Sequence, residues 1–138
     1  MTLVLDASVL AEFLVGSPAG RRATPRILAD RDLHIPHLAV VEVASVVRGW
    51  VLGGHLPEPR ARGALDDLAA LPAARWSAEP LLPRLWALRS NMTADDATYV
   101  ALAEGVEATL LTADARLVRA AEQFGECSVE LVDAGTGR

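Results

Sequence analysis

Four carboxylates in this chain fall where a charge is expensive. Asp6 lies in VLDASVL, Glu42 in VVEVASVV, Asp96 in TADDATYVALA and Asp114 in LLTADARL, each among apolar neighbours. An ionised acid withdrawn from water costs free energy unless something compensates it. Asp6 and Asp114 each follow an apolar run that reads as a strand and precede a run at helical spacing, so each is also a natural N-cap. Asp96 stands three residues after Thr93, which approximates a capping box, although Glu or Gln is the usual partner there. Glu42 lies too far into its helical run for capping to explain it. Its simplest structural partner is an arginine, Arg48 or Arg26.

Brought together, the four acids have a definite chemistry. In a parallel α/β sheet, residues just beyond the carboxyl ends of the strands converge on one edge, where ligands bind. Asp6 and Asp114 hold such positions, and a helix starting at Thr93 brings Asp96 to the same edge. Two unit charges roughly 4 Å apart repel by about 4 kcal/mol at an effective dielectric near 20. A divalent cation is the simplest way to hold such a group. An all-oxygen set with no matching His or Cys selects Mg2+ or Mn2+ over zinc. Such an ion is suited to binding a phosphate oxygen and activating water for in-line attack on a phosphodiester.

The elements that must position these acids are legible from hydrophobic period and breakers. Strands are predicted at 2–5, 33–36, 74–78, 108–112 and 129–132. Helices are predicted after Asp6, over 21–31 with Pro25 near the start, over 37–52, 57–71 and 79–91, from a Thr93 N-cap to 106, and over 113–125. The segment 16–20 reads as a loop, and 37–52 as a buried helix, apolar on nearly every face. Short apolar strands alternating with helices indicate an α/β layer structure with a mainly parallel sheet.

The chain of 138 residues is expected to form one domain, 1–138, with DAGTGR at its end as a short tail. Net charge is −5 and all 13 basic residues are arginine, so a nucleic acid must be met by a local cluster and not by a general basic field. The absence of lysine excludes Schiff-base chemistry and a P-loop. Cys127 is the single cysteine, which excludes an internal disulfide and points to a reducing cytoplasm. The apolar start carries Asp6 and Glu12 and lacks a basic leader, unlike a signal peptide. No run approaches the roughly 18 apolar residues of a membrane span.

The four motifs, VLDASVL, the Glu42 helix after IPHL, DATYVALAE at 96–104 and LLTADARL at 110–117, stand in one order along the chain. In that order, and over nearly the whole length, the sequence resembles PIN-domain ribonucleases of the VapC toxin type. The resemblance implies a three-layer α/β/α domain around a mainly parallel sheet, and Mg2+- or Mn2+-dependent endoribonuclease activity as the toxin of a type II toxin–antitoxin pair. It makes Asp6, Glu42 and Asp96 the main metal ligands and catalytic acids, with Asp114 completing the site or holding a second ion. Ser8 and Thr112 match the hydroxyl residues beside that site; local capping of the following helices explains them equally well. The resemblance further implies an RNA substrate, a homodimer and a cognate antitoxin laid across helices of the N-terminal half. Asp95 departs from the aromatic or small residue usual at its position. It reads as a helix-start charge or as an extra acid at the site.

Arg21, Arg22 and Arg26 form the densest basic cluster, either an RNA-backbone contact or a solvated helix face. Trp50, Trp76, Trp86 and Tyr99 are candidates for base stacking, against placement in the core or an interface. His34, His37 and His55 lack metal-binding spacing and read as structural or exposed, and Asp133 as a turn residue. A rival reading keeps the acids for stability or docking alone, in a catalytically silent PIN-like binding module. An aspartyl-phosphate phosphatase needs a second Asp where Ser8 stands, and a lysine as well.

Overall fold

The computed structural model describes residues 2–29 and 32–133. In chain order these form β1 (Thr2–Leu5), α1 (Ala7–Val15), α2 (Pro18–Ala29), β2 (Asp32–Pro36), α3 (His37–Leu52), α4 (Glu58–Ala70) and β3 (Ala74–Trp76). A 3-10 turn, Glu79–Leu81, leads into α5 (Leu82–Ala87), followed by α6 (Ala94–Gly105), β4 (Thr109–Thr112), α7 (Ala115–Phe124) and β5 (Val129–Leu131). The strands lie in the order β3-β2-β1-β4-β5, and every neighbouring pair is parallel.

Parallel strands need crossovers, and right-handed crossovers fix which helices cover which face. From β1 the chain steps outward through β2 to β3, which places α1 to α4 on one face. It then returns to β4 and steps the other way to β5, which places α5 to α7 on the opposite face. Packing agrees: α1 lies against α2, α3 and α4, whereas α6 lies on β1, β2 and β4. The result is the expected α/β/α layering. With both faces covered, Leu3, Val4 and Leu5 of β1 and Leu110 and Leu111 of β4 are wholly buried, as continuous apolar strands require. The direction of travel reverses between β1 and β4, and the crevice beyond their carboxyl ends is where such sheets bind ligands.

Several local expectations change. The loop is shorter than 16–20, because α2 begins at Pro18 and Pro25 lies inside it, not near its start. Gly16 ends α1 with φ 71°, a left-handed conformation that glycine adopts without steric cost. Gly20 lies so close to α1 that a Cβ there would sit 1.9 Å from the Glu12 carbonyl oxygen. The stretch 79–91 is a 3-10 turn and a six-residue helix, not one long helix, and its two prolines begin those two pieces. α3 is not buried on all sides: Ala39, Val43 and Val47 face the core, while Val41 and Leu52 are about two-thirds exposed. Residues 30–31, the predicted end of the second helix, and 134–138, most of the predicted tail, lie outside the described residues. Among the described residues, no helix is long and apolar enough to cross a membrane.

Candidate active site

β1 delivers Asp6 to the crevice, and two turns hold it there. One carboxylate oxygen accepts the Val9 N–H at 3.1 Å, capping α1, and the Ser8 hydroxyl at 2.6 Å. The other accepts the Thr112 hydroxyl at 2.8 Å. Ser8 and Thr112 in turn accept the N–H groups of Ala113 and Asp114, each at 3.0 Å. A hydroxyl has one proton to donate, and both protons go to Asp6, so the end of β1 is laced to the turn after β4. Asp114 caps α7 by accepting the Arg116 N–H at 2.9 Å. Capping and site membership are therefore not alternatives for Asp6 and Asp114; the same carboxylates do both.

Glu42 reaches the crevice from α3, on one face of the sheet. Its partner is neither Arg48 nor Arg26 but the Tyr99 hydroxyl, which donates to it from α6 on the other face. Asp96 stands three residues earlier on the same helix, whose N-terminus Thr93 caps by accepting the Asp96 N–H at 3.2 Å. The Asp96 side chain turns to Arg116, which donates at 2.7 Å, and a second guanidinium nitrogen of Arg116 lies 3.2 Å from Asp114. Asp6, Ser8, Glu42, Asp95, Asp96, Tyr99, Asp114 and Arg116 line one open pocket of about 440 Å3. All four sequence-predicted acids thus share it. Asp95 lines it too, as an exposed residue of the first turn of α6.

The electrostatics bear the mark of this convergence. Burial raises the pKa of Asp6; its hydrogen bonds from Ser8, Thr112 and Val9 pull it back, and the charge of Asp114 pushes it up again. Burial likewise raises Glu42; the Tyr99 bond opposes this, and the charges of Asp95, Asp6 and Asp96 add to it. Tyr99 is pushed far up by burial and by Glu42, so it stays a neutral donor. The acids feel one another across the crevice, the situation a cation relieves. Among the described residues, no three acid, histidine or cysteine groups stand close enough to hold a metal ion without moving.

Arg116 is not singled out by the sequence, and Tyr99 reads from it only as a base-stacking, core or interface aromatic. Tyr99 lies three residues after Asp96, on the same helical face, a spacing that could have suggested it. Arg116 sits in the first turn of α7, where a cation opposes the helix dipole; that misfit was a usable signal. The basic cluster is engaged elsewhere. Arg21 donates to the Gly16 carbonyl, Arg22 to the Asp133 carbonyl, and Arg26 pairs with Glu130 at 3.0 Å; none of the three lines the pocket. His34 is structural: the Trp76 N–H donates to its Nδ1, and its Nε2 lies 2.8 Å from Asp32. Trp86 is exposed, and Arg89 covers its ring at 4.7 Å.

A five-stranded parallel sheet with four acids at its switch point is the architecture of a PIN domain, and the PIN domain family model matches residues 3–123. The chain belongs to that family, in its VapC branch. It is 38% identical to Ribonuclease VapC1 of Mycobacterium tuberculosis over 94% of this chain and 96% of the relative. It is 35% identical to Ribonuclease VapC12 of the same organism over 94% and 98%. Among solved structures, VapBC2 from Rickettsia felis, bound to a DNA fragment from its promoter, superposes with TM-score 0.69 at 12% identity, covering 96% of this chain and all of that one.

Proposed function

We propose that this protein is a Mg2+- or Mn2+-dependent endoribonuclease, the toxin of a toxin–antitoxin pair, acting in the cytoplasm as a single domain. The observation that carries the reading is the convergence of Asp6, Glu42, Asp96 and Asp114 on one open pocket at the β1/β4 crevice. The names of the VapC relatives give the substrate class.

The donor set suits such an ion. It is all oxygen, its acids raise one another's proton affinity, and a guanidinium already stands as a cation between Asp96 and Asp114. Asp6, Glu42 and Asp96 would hold the ion, with Asp114 completing the site or serving a second one. When bound, the ion supplies Lewis-acid activation of water and of the phosphodiester. The chain's own residues supply the positioning. Ser8 and Thr112 fix the Asp6 carboxylate, and Tyr99 fixes Glu42 from the opposite layer. In the hydrolysis, a water oxygen bonds to phosphorus as one phosphorus–ribose oxygen bond breaks.

The same reading includes a cognate antitoxin and a homodimer. Apolar surface for such contacts is open on α2 and α3, where Leu28, Val41 and Leu52 are well exposed. The test of the activity is cleavage of RNA by purified protein with and without Mg2+. Asp6→Asn and Asp96→Asn should keep the circular dichroism of the wild type and lose Mg2+-dependent cleavage by at least about a hundredfold. Retained cleavage in either pure variant would contradict the proposal.

A further inference from the structure

The acidic pocket poses a problem for its own substrate. Its acidic lining repels RNA phosphates, and among the described residues lining it Arg116 is the single cation. Yet Arg116 is not free to meet a phosphate as placed. One guanidinium nitrogen is 2.7 Å from Asp96 and another 3.2 Å from Asp114. It thus occupies the space between two of the four acids and offsets one of their two charges.

That contact is easily exchanged. The Arg116 side chain is 59% exposed, whereas that of Asp96 is 13% exposed. A half-exposed ion pair is a weak one, and a divalent ion offers the same two carboxylates twice the charge. Helix α7 gives no reason to keep the cation there, because its N-terminal dipole disfavours a positive charge. Once turned out from the acids, the planar fork of a guanidinium matches two phosphate oxygens.

We propose that Arg116 is an RNA-phosphate-binding residue parked on Asp96 and Asp114, and that the divalent cation displaces it from those carboxylates into its working position. This rests on the nuclease reading above and adds a residue to it. Two consequences have opposite signs. Removing the guanidinium takes away the cation's competitor, so the ion binds more tightly; it also takes away a phosphate contact, so RNA binds more weakly. A purely structural brace predicts the reverse for the ion, since loss of the brace loosens the site.

The test is calorimetric titration of Mn2+ into wild type, Arg116→Ala and Arg119→Ala, an exposed control on the same helix, with cleavage kinetics of a single-stranded RNA at saturating Mn2+. Arg116→Ala should bind Mn2+ about threefold more tightly and show a KM raised about tenfold, with Arg119→Ala matching wild type in both. Arg116→Lys, which keeps the charge without the fork, should fall between. Circular dichroism and Tm of each variant check the fold, and Arg116→Gln repeats the test should the alanine variant prove unstable. Unchanged or weaker Mn2+ binding by Arg116→Ala, or an unchanged KM, overturns the proposal. A wild type that takes up no Mn2+ sinks the metal-dependent nuclease reading itself, and this inference with it. A wild type that binds the ion and cleaves, beside a variant that fails either arm, sinks only the role of Arg116.

Discussion

Asp6 accepts three hydrogen bonds and still has a raised pKa, because its burial and the charge of Asp114 outweigh them. A carboxylate in that state is prepared for a cation. Glu42 is similar, with the Tyr99 hydroxyl as its one tether across the crevice among the described residues. Tyr99→Phe is therefore expected to cost about 1 kcal/mol of stability in urea unfolding and to weaken Mn2+ binding severalfold in calorimetry, with little change in fold. Unchanged Mn2+ affinity would mean that Tyr99 does not position Glu42. At this scale the four acids could be read from sequence, since each is a charge inside an apolar run. Tyr99 and Arg116 could not be read so directly. Their roles depend on side chains meeting across 57 and 20 residues of chain; the local signals, a helical spacing from Asp96 and a cation at a helix start, do not name those partners.

Helix α2 crosses α1 over a glycine, and the contact is specific. Gly20→Ala sets a Cβ against the α1 backbone and should destabilise the protein by about 1–3 kcal/mol. Gly49→Ala, in the interior of α3 with nothing within 4 Å of the added atom, should stabilise it by about 0.5–1 kcal/mol. Urea midpoints moving in the same direction for both variants would contradict this packing. A second brace joins α5 to α6 through Arg84 and Glu104, at 2.7 Å. Burial alone would raise the pKa of Glu104, but the Arg84 bond, the Glu126 N–H and the Arg84 charge bring it below 4.5. Its stabilisation is thus present above about pH 4.5 and lost as pH falls through the lower folded value. Glu104→Gln should be less stable than wild type at neutral pH, with the gap closing in acid; Tm against pH for both proteins checks it. The existence of most elements was visible in apolar period and breakers. The start of α2 and the break within 79–91 were not: Pro25 is tolerated inside a helix, against its usual breaking effect, and Pro80 and Pro83 open two short pieces in place of one helix.

For the whole molecule, alternation of strands and helices announced a parallel α/β sheet, but not the order β3-β2-β1-β4-β5. Strand order depends on which faces the crossovers cover, and the apolar runs of all central strands look alike. That order is what sets Asp6 beside Asp114 and brings α3 and α6 to the same edge from opposite layers. The net charge is −5, and among the described residues Arg116 is the single cation lining the acidic pocket. Raising monovalent salt from about 50 to 200 mM should weaken RNA binding by less than about tenfold, as expected for one or two phosphate contacts; a loss of a thousandfold in filter binding would reveal an extended basic surface instead. Under the proposed function, Asp6, Glu42, Asp96 and Asp114 together form one cation site. Its most direct test is calorimetric titration with Mn2+ of the wild type against Glu42→Gln, both folded by circular dichroism. A saturable site in the wild type that Glu42→Gln loses is the expected result; an equal titration of both proteins, or none in the wild type, would contradict a shared cation site.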